Sequence, residues 1–252
     1  MDLQRLKRNW DAFGRHDPLW AVLGLPDKRG NRWDVDEFFA WGRDEIDRVL
    51  DYVQSLGLVV PRGRALDFGC GVGRLTQALA GHFDEVDGVD IAPSMIRLAD
   101  RFNRHPKSCR YHLNDRSDLR SFPDRSFDFV YSNITLQHIE PIYSTRYIRE
   151  FVRVLSEPGV LVFQIPSERV PGSEVSPGFS WRKTLSPLTP PFLRPALRWI
   201  VDRAKPSMEG FGIPMPDVVD VLETSGAKLV DVQPDTWMPD WIAYRYCAVK
   251  SG

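Results

Sequence analysis

The chain has 252 residues, 42% of them hydrophobic, and a formal net charge of −1 at pH 7. This length and composition suit one sizeable α/β core, and the near-zero charge gives no global attraction to nucleic acid or to an anionic membrane. Three widely separated cysteines make no disulfide or zinc framework, and the sequence shows neither a signal peptide nor an apolar run of about 18 residues. We therefore expect a cytoplasmic protein that acts on a small molecule, without stable membrane association and without a resident metal.

The N-terminal part, residues 1–60, precedes the first predicted core strand and holds four of the eight tryptophans. Residues 36–56 carry apolar side chains at near-helical spacing, and Gly57 follows as a stop signal. We therefore predict an amphipathic helix over this range, with a dense group of aromatic side chains at and before its start.

A short apolar strand then enters a glycine-rich loop at residues 66–74, Leu-Asp-Phe-Gly-Cys-Gly-Val-Gly-Arg. Glycine lacks the Cβ that would hold a ligand away from the backbone, and a helix beginning at Val72 would direct unpaired N–H groups at a bound molecule. The spacing G-x-G-x-G differs from the dinucleotide pattern G-x-G-x-x-G. Asp67 stands two residues before the first glycine, where its carboxylate would repel a pyrophosphate and attract a sulfonium. The loop therefore indicates a nucleotide-type ligand and disfavours a nicotinamide-dependent oxidoreductase.

Further predicted strands follow, separated by helical patterns. Such alternation indicates βαβ units and a parallel sheet, whose ligands bind beyond the carboxyl ends of the strands. Polar residues follow these strands closely, so they should converge on one edge of the sheet. The strands and their landmarks are residues 86–89 with Asp90, residues 110–113 with Asn114 and Asp115, and residues 126–133 with His138 shortly beyond.

This succession of motifs resembles class I S-adenosylmethionine (SAM) dependent methyltransferases, firmly over residues 64–166 and loosely over 215–250. The resemblance implies a Rossmann-like, seven-stranded, mostly parallel sheet with helices on both faces and an antiparallel last strand near residues 242–249. It also implies SAM as cofactor, with S-adenosylhomocysteine (SAH) as product. The chain would then comprise an N-terminal helical lid, a SAM-binding core, a Pro-rich insertion after strand five and the rest of the core. These are residues 1–60, 61–166, 167–214 and 215–252.

The resemblance also implies roles for individual residues. Asp90 would accept both ribose hydroxyls, and Asp115 would contact the adenine amino group, or Asp118 if the alignment slips. Arg43 would pair with the methionyl carboxylate or lie on a solvated helix face. Cys70 is interpreted as a small residue of the loop. The other positions matched to the cofactor are Asp67, Gly69, Gly71, Gly73, Arg74, Ile91, Met95, Ser132 and Asn133.

Methyl transfer from a sulfonium requires an aligned acceptor and the exclusion of water, but no metal. A hydroxyl acceptor also needs a base, and His138 is the candidate, with a pKa near neutrality. Its alternative is a histidine hydrogen-bonded within the pocket wall. Gln137 would orient the substrate or face the core. In this family the segment before the first strand encloses the substrate, so Trp33, Phe39 and Trp41 are lid candidates; otherwise they pack the helix on the sheet.

We therefore expect O-methylation of a sugar or another secondary metabolite. Residues 180–205 form a basic and aromatic patch that would cap an anionic or lipid-linked acceptor, touch a membrane surface or remain a solvated loop. The alternatives are N- or C-methylation of a small molecule, RNA or protein methylation, and SAM binding without catalysis. Methylation of base amino groups is disfavoured, because Asn133 is followed by Ile134-Thr135 in place of a Pro-Pro-aromatic segment.

Overall fold

A computed structural model describes residues 2–171, 206–237 and 239–250. Within this part of the chain, seven strands form one sheet. They are β1 (Arg64–Phe68), β2 (Glu85–Asp90), β3 (Cys109–Leu113), β4 (Phe127–Ser132), β5 (Leu155–Arg169), β6 (Ala227–Asp235) and β7 (Trp241–Lys250). Their spatial order is β3-β2-β1-β4-β5-β7-β6. The first five strands are parallel, whereas β7 runs antiparallel to both β5 and β6. The predicted fold class is confirmed, and the strands predicted over 86–89, 110–113, 126–133 and 242–249 agree with these bounds to within one residue.

The helices cover both faces of this sheet. They are α1 (Leu3–His16), α2 (Pro18–Val22), α3 (Val35–Ser55), α4 (Arg74–Leu79), α5 (Pro93–Phe102), α6 (Pro141–Val154) and α7 (Met215–Thr224), with 3₁₀ turns at Pro26–Lys28 and Leu136–His138. Successive residues of a strand point to opposite faces, and the core divides accordingly. Leu66 and Val130 pack with α6 and α7, while Ala65 and Phe129 pack with α3 and α4.

The long helix predicted over residues 36–56 is α3, which begins one residue earlier. The carboxylate of Asp34 caps it by accepting a 2.9 Å hydrogen bond from the N–H of Glu37, an arrangement that satisfies one of the free donors at a helix start. The helix after the glycine loop was expected from Val72 but begins at Arg74, because Gly73 still has a left-handed backbone (φ 85°) and serves as the N-cap.

The segment of residues 206–213, called the return segment below, leads back to the core after the insertion. Its Phe211 N–H donates to the carbonyl of Gln137 and its Ile213 N–H to that of Pro166. The predicted insertion, 167–214, and its basic patch fall mostly on residues 172–205, which lie outside the described residues. The four-part division of the chain therefore stays a prediction. None of the helices in the described part is long and apolar enough to traverse a bilayer.

Candidate functional site

A pocket of about 810 Å³, partly open to solvent, lies at the carboxyl ends of the central strands. Strand β1 pairs with β2 on one side and with β4 on the other, so the chain order reverses there. Loops that follow the strands diverge at such a point and leave a crevice, which is where ligands of this sheet type bind. The lining residues are Leu6, Trp10, Val22, Phe68, Gly69, Cys70, Gly71, Arg74, Leu75, Val89, Asp90, Ile91, Asn114, Asn133, Ile134, Thr135, His138, Ile139 and Tyr147.

The glycine loop forms the floor of this pocket. Its start is fixed to β2, because the N–H groups of Gly69 and Cys70 both donate to the carbonyl of Val89. Gly69 (φ 81°) and Gly71 (φ 53°) have left-handed backbones, and a Cβ at either position would lie 2.2 Å from Thr135 or 2.6 Å from Val22. These glycines therefore admit protein side chains that close the pocket wall, in addition to leaving room for a ligand.

Asp90 lines the pocket at the end of β2, as predicted. Its Oδ2 accepts a hydrogen bond from Gly71 N–H (3.0 Å) and its Oδ1 accepts one from Ala92 N–H (2.8 Å). Burial raises the pKa of Asp90 to about 6, against the opposing effect of these backbone donors. Each carboxylate oxygen has lone pairs left after one hydrogen bond, so Asp90 can accept further hydroxyl donors from a ligand.

Asp67 is not part of the pocket wall. Its side chain is turned toward α4, where it accepts a 2.6 Å hydrogen bond from the hydroxyl of Thr76, and it is only 1% exposed. Burial raises its pKa to about 7. The carboxyl therefore supports the loop from behind, since β1 alternates its side chains between the two faces of the sheet.

Asp115, which was predicted to contact the cofactor, does not line the pocket, but its neighbour Asn114 does. Asn114 lines the pocket, whereas the carboxylate of Asp115 lies outside and pairs with Lys7 at 2.9 Å. Asp118 is also outside, where it pairs with Arg120. The pocket position after β3 is thus Asn114, because β3 ends at Leu113 and the first residue beyond it lines the pocket.

Four other predicted cofactor residues do not line the pocket. Arg43 is exposed on α3. Gly73 packs against Tyr111, and Met95 is fully buried in α5. Ser132 turns its hydroxyl to the carbonyl of Phe68, 3.0 Å away. These residues shape the surroundings of the pocket and do not face into it.

The remaining predicted positions do line it: Gly69, Cys70, Gly71, Arg74, Asp90, Ile91 and Asn133. Burial raises the pKa of the Cys70 thiol well above its usual value, so this cysteine is a neutral loop residue. Ile134, directly after Asn133, has a φ of 56°. A β-branched residue rarely adopts this conformation, and such strain concentrates at binding sites.

The N-terminal residues that line the pocket are not the ones predicted for a lid. Trp33 and Phe39 are buried in a cluster of α1, α2 and α3, and Trp41 packs on the outer side of Trp33. None of the three lines the pocket. Leu6 and Trp10 of α1 do so instead. The aromatic density of residues 33–41 thus serves to bury α3, which was the alternative interpretation.

His138 lies in the pocket wall next to Trp10. The centroids of the two rings are 5.0 Å apart, in an edge-on arrangement. Its Nδ1 lies 3.0 Å from the carbonyl oxygen of Glu209 in the return segment, and its Nε2 lies 3.2 Å from the side-chain nitrogen of Gln137. A carbonyl only accepts, so Nδ1 carries the proton and Nε2 keeps its lone pair. Gln137 therefore faces the histidine from within the protein and does not line the pocket.

Burial lowers the pKa of His138 to about 4, although the bond to the Glu209 carbonyl opposes this shift. The expected pKa near neutrality is therefore wrong. A pKa in this range leaves the imidazole neutral at physiological pH, because the surrounding protein disfavours its charged form.

Two pocket-lining residues that the sequence prediction missed, Leu6 and Trp10, belong to α1. Leu3, Leu6, Trp10 and Phe13 recur at helical spacing, a signal visible in the sequence. Asn114, Thr135 and Tyr147 also line the pocket. These residues lie close in sequence to predicted motifs, but the sequence does not show that their side chains line the pocket.

The pocket fits SAM by several independent features. The glycine loop, which lets a ligand approach the backbone, lies beside Asp90, and the oxygens of Asp90 can accept further hydrogen bonds. The side chains of Arg74 and Asn133, which also line the pocket, have buried polar atoms without hydrogen-bond partners. Among the described residues no grouping of three or more His, Cys, Asp or Glu is placed to hold a metal ion.

Residues 66–163 match the family described as a methyltransferase domain. The chain is 34% identical over 132 residues to malonyl-[acyl-carrier protein] O-methyltransferase of Halorhodospira halophila, covering 51% of this chain and 42% of that protein. It is 30% identical over 169 residues to a ubiquinone biosynthesis O-methyltransferase of Xanthomonas campestris, covering 66% of this chain and 59% of that protein. The chain thus spans about half the length of these relatives.

Among solved structures, the SAH complex of magnesium protoporphyrin IX methyltransferase from Synechocystis PCC 6803 superposes with a TM-score of 0.64 over the whole of both chains, at 16% identity. At that identity the likeness establishes the fold. Together with the domain match, it defines a class I methyltransferase fold. Residues 66–163 thus match a methyltransferase domain, and the chain has the fold of the class I SAM-dependent methyltransferases.

Proposed function

We propose that this protein transfers the methyl group of SAM to a hydroxyl of a small molecule in the cytoplasm. The observation that carries the proposal is a pocket that joins Asp90 and the glycine loop to a neutral histidine beside the apolar face of α1. SAM, when bound, supplies a methyl group that its sulfonium has already activated. The three cysteines are free thiols, which supports a reducing compartment.

His138 supports a hydroxyl as the acceptor. Its Nε2 is the acceptor nitrogen, because Nδ1 donates to the Glu209 carbonyl. An acceptor hydroxyl bound in the pocket beside His138 could pass its proton to Nε2 as the new bond forms, provided that the Gln137 side chain turns away from that nitrogen. Two relatives are named as O-methyltransferases, which agrees with this choice.

The wall around the histidine favours an acceptor with an apolar body over a sugar. Trp10, Val22, Ile134 and Ile139 contribute apolar surface to the pocket. A sugar carries several hydroxyls, each of which loses free energy when it is buried without a hydrogen-bond partner. Four polar side chains of the wall, those of Arg74, Asp90, Asn114 and Asn133, stand at the glycine loop or at the ends of β2, β3 and β4, where the cofactor would bind. We therefore propose a phenol-like or enol-like hydroxyl on an otherwise apolar metabolite.

The test combines SAH calorimetry with a methyl-transfer assay that uses labelled SAM and a panel of phenols, hydroquinones and monosaccharides. His138→Ala should keep SAH affinity nearly intact and lower turnover about 10²- to 10⁴-fold, the usual worth of a positioned general base. His82→Ala is the matched control, because His82 is a partly exposed histidine that pairs with Asp47 away from the pocket.

The pH profile adds a second criterion. Since the pKa of His138 is about 4, turnover of the parent protein with an acceptor of high pKa should not rise between pH 6 and 7. Retention of more than about a third of the parent turnover by His138→Ala would reject the base role and favour nitrogen, sulfur or carbon acceptors. A folded parent protein that binds no SAH would refute the proposed function as a whole.

A further inference from the structure

A buried polar cluster behind the glycine loop involves a residue that sequence motifs did not reveal. Glu45 of α3 places Oε2 at 2.8 Å from Nη1 of Arg74. Its Oε1 accepts hydrogen bonds from the hydroxyl of Tyr131 (3.0 Å) and from the side-chain nitrogen of Asn133 (2.7 Å). One carboxylate thus joins the helix before the first strand to the end of β4 and to the start of α4.

The sequence of α3 explains why this carboxylate reaches the loop. Gly42 lies one turn before Glu45 on the same face of the helix. A Cβ at Gly42 would stand 2.7 Å from both Cγ and the carbonyl oxygen of Arg74, so glycine allows α3 to approach α4 closely. One turn earlier, the ring of Phe38 lies 5.9 Å from the guanidinium carbon of Arg74. The arginine is therefore held between an aromatic ring and a carboxylate.

The cluster leaves three buried polar atoms without a hydrogen bond in the protein. They are Nε and Nη1 of Arg74, of which Nη1 has only the ion pair with Glu45, and Oδ1 of Asn133; both side chains line the pocket. Glu45 determines this arrangement, because a carboxylate accepts only from the nitrogen of the asparagine amide and so turns the oxygen away from itself. Arg74 is 3% exposed. A buried donor and a buried acceptor without partners are costly, which indicates that a ligand completes them.

We propose that Glu45 is a positioning residue that sets Arg74 and Asn133 to receive the α-amino-acid end of the cofactor. Arg74 offers N–H groups to a carboxylate, and the Asn133 oxygen accepts from an ammonium group. The inference rests on the proposed function, because it assumes SAM in the same pocket. It also replaces Arg43, which is exposed on α3, by Arg74 as the partner of the methionyl carboxylate.

The charge of the cluster suits this ligand. Burial alone would raise the pKa of Glu45, but Arg74 and the hydrogen bonds from Asn133 and Tyr131 hold it below its usual value. The ionised carboxylate therefore offsets the charge of Arg74. An arginine without this partner would repel the sulfonium and the ammonium of the same ligand. The Glu45–Arg74 pair has no net charge, so Arg74 can bind the carboxylate of the cofactor without this repulsion.

Glutamine cannot replace Glu45 in this role. The carboxylate uses both oxygens as acceptors, Oε2 toward Arg74 and Oε1 toward Tyr131 and Asn133. A glutamine has one acceptor oxygen and an NH₂ group that only donates. In either orientation of that amide, a donor faces a donor, so either Arg74 or Asn133 must turn away.

The experiment compares two ligands by calorimetry. SAH carries the amino-acid end, whereas 5′-methylthioadenosine has the same adenosine and thioether without it. Glu45→Gln should weaken SAH binding about tenfold or more, the worth of a charge-assisted hydrogen bond, and change 5′-methylthioadenosine binding by less than about twofold. Asp44→Asn is the matched control, since Asp44 is an exposed carboxylate one position earlier on the same helix. It should leave both affinities unchanged.

Tyr131→Phe provides a second and milder variant, should Glu45→Gln fail to fold. It removes one donor to Glu45 without altering a pocket-lining side chain, and it should weaken SAH selectively by a few-fold. Equal losses for both ligands, or no loss for either, would overturn the positioning role while the parent still binds SAH. A parent protein that binds neither ligand would instead overturn the proposed function and this inference together.

Discussion

Asp87 and Asp90 lie three residues apart on strand β2, but their carboxylates have different hydrogen-bond partners. Asp87 is 1% exposed and pairs with Arg64 at 2.8 Å and with His112 at 2.6 Å. Burial opposes its ionisation, but these partners hold its pKa below the usual value. Asp90 has backbone N–H partners, and its pKa is raised to about 6. The protein itself supplies the side-chain partners of Asp87, whereas Asp90 still has acceptor sites free for a ligand.

The difference separates stability from binding along one strand. A paired carboxylate stabilises the folded state wherever it is ionised, and its acceptor sites are used by cations. A buried carboxylate at the pocket edge lowers the stability of the folded state when it ionises, because it has lost its hydration and has no positively charged partner in the protein. That cost is recovered when hydroxyl groups of a ligand donate to it. The two positions should therefore respond oppositely to substitution.

The largest expected effect is on cofactor affinity. Asp90→Ala should weaken SAH binding by about 1–3 kcal/mol, since the ligand hydroxyls lose a buried acceptor. Calorimetry measures this directly, with Asp87→Asn as the comparison on the same strand, where SAH affinity should stay within about twofold. A folded Asp90→Ala protein that binds SAH as tightly as the parent does would contradict the assignment of Asp90.

The next effect is on folding. Asp87→Asn should lower the free energy of unfolding by about 1–2 kcal/mol, a discounted value because Arg64 and His112 are partly exposed. Urea denaturation at several pH values checks this, with Asp84→Asn as an exposed control just before the strand. The folded pKa of Asp87 is lowered, so its contribution is present above the unfolded pKa of about 3.9 and is lost as the pH falls through the folded pKa. A gap between parent and variant that persists below that range would argue against the ion pairs.

The smallest effect is a pH dependence of binding. Asp90 must be ionised to accept two hydroxyls, and its pKa without ligand is about 6. SAH affinity of the parent should therefore be about tenfold weaker at pH 5 than at pH 7, and Asp90→Ala should lose this dependence. The same raised pKa means that the contribution of Asp90 to the free energy of unfolding falls as the pH rises from about 4 to 6. If the variant retains the full pH dependence of binding, another group is responsible.

The sheet was predictable because its signals are local and repeated. Apolar runs of strand length alternate with helical patterns, and the glycine loop marks the turn after β1, so β2, β3 and β4 are predicted to within one residue. The identity of Asp90 as a pocket residue followed, since it ends its strand directly. Asp115 failed for a related reason: the choice between Asn114 and Asp115 depends on where β3 ends, and one residue reverses the direction of a side chain.

Other parts of the site depend on tertiary contacts that no local pattern contains. The tryptophans of residues 33–41 indicate burial, but their number does not say whether they bury a helix or a ligand. Similarly, nothing local relates Glu45 to Arg74, which lies 29 positions later in the chain (74 − 45). The pKa of His138 depends on the return segment, which is about 70 residues away in sequence. These features arise only when α3, β4 and the return segment come together.

The return segment is tied to the pocket through its main chain. The Glu209 carbonyl accepts from His138, and the Phe211 N–H donates to the Gln137 carbonyl. Both atoms are present whatever side chain stands at these positions, with proline at 211 excluded because it lacks the N–H. Side chains of this segment can therefore vary while the imidazole keeps its orientation. The orientation of the histidine is thus insulated from side-chain changes at residues 209 and 211, and these two positions can drift in evolution without moving the imidazole.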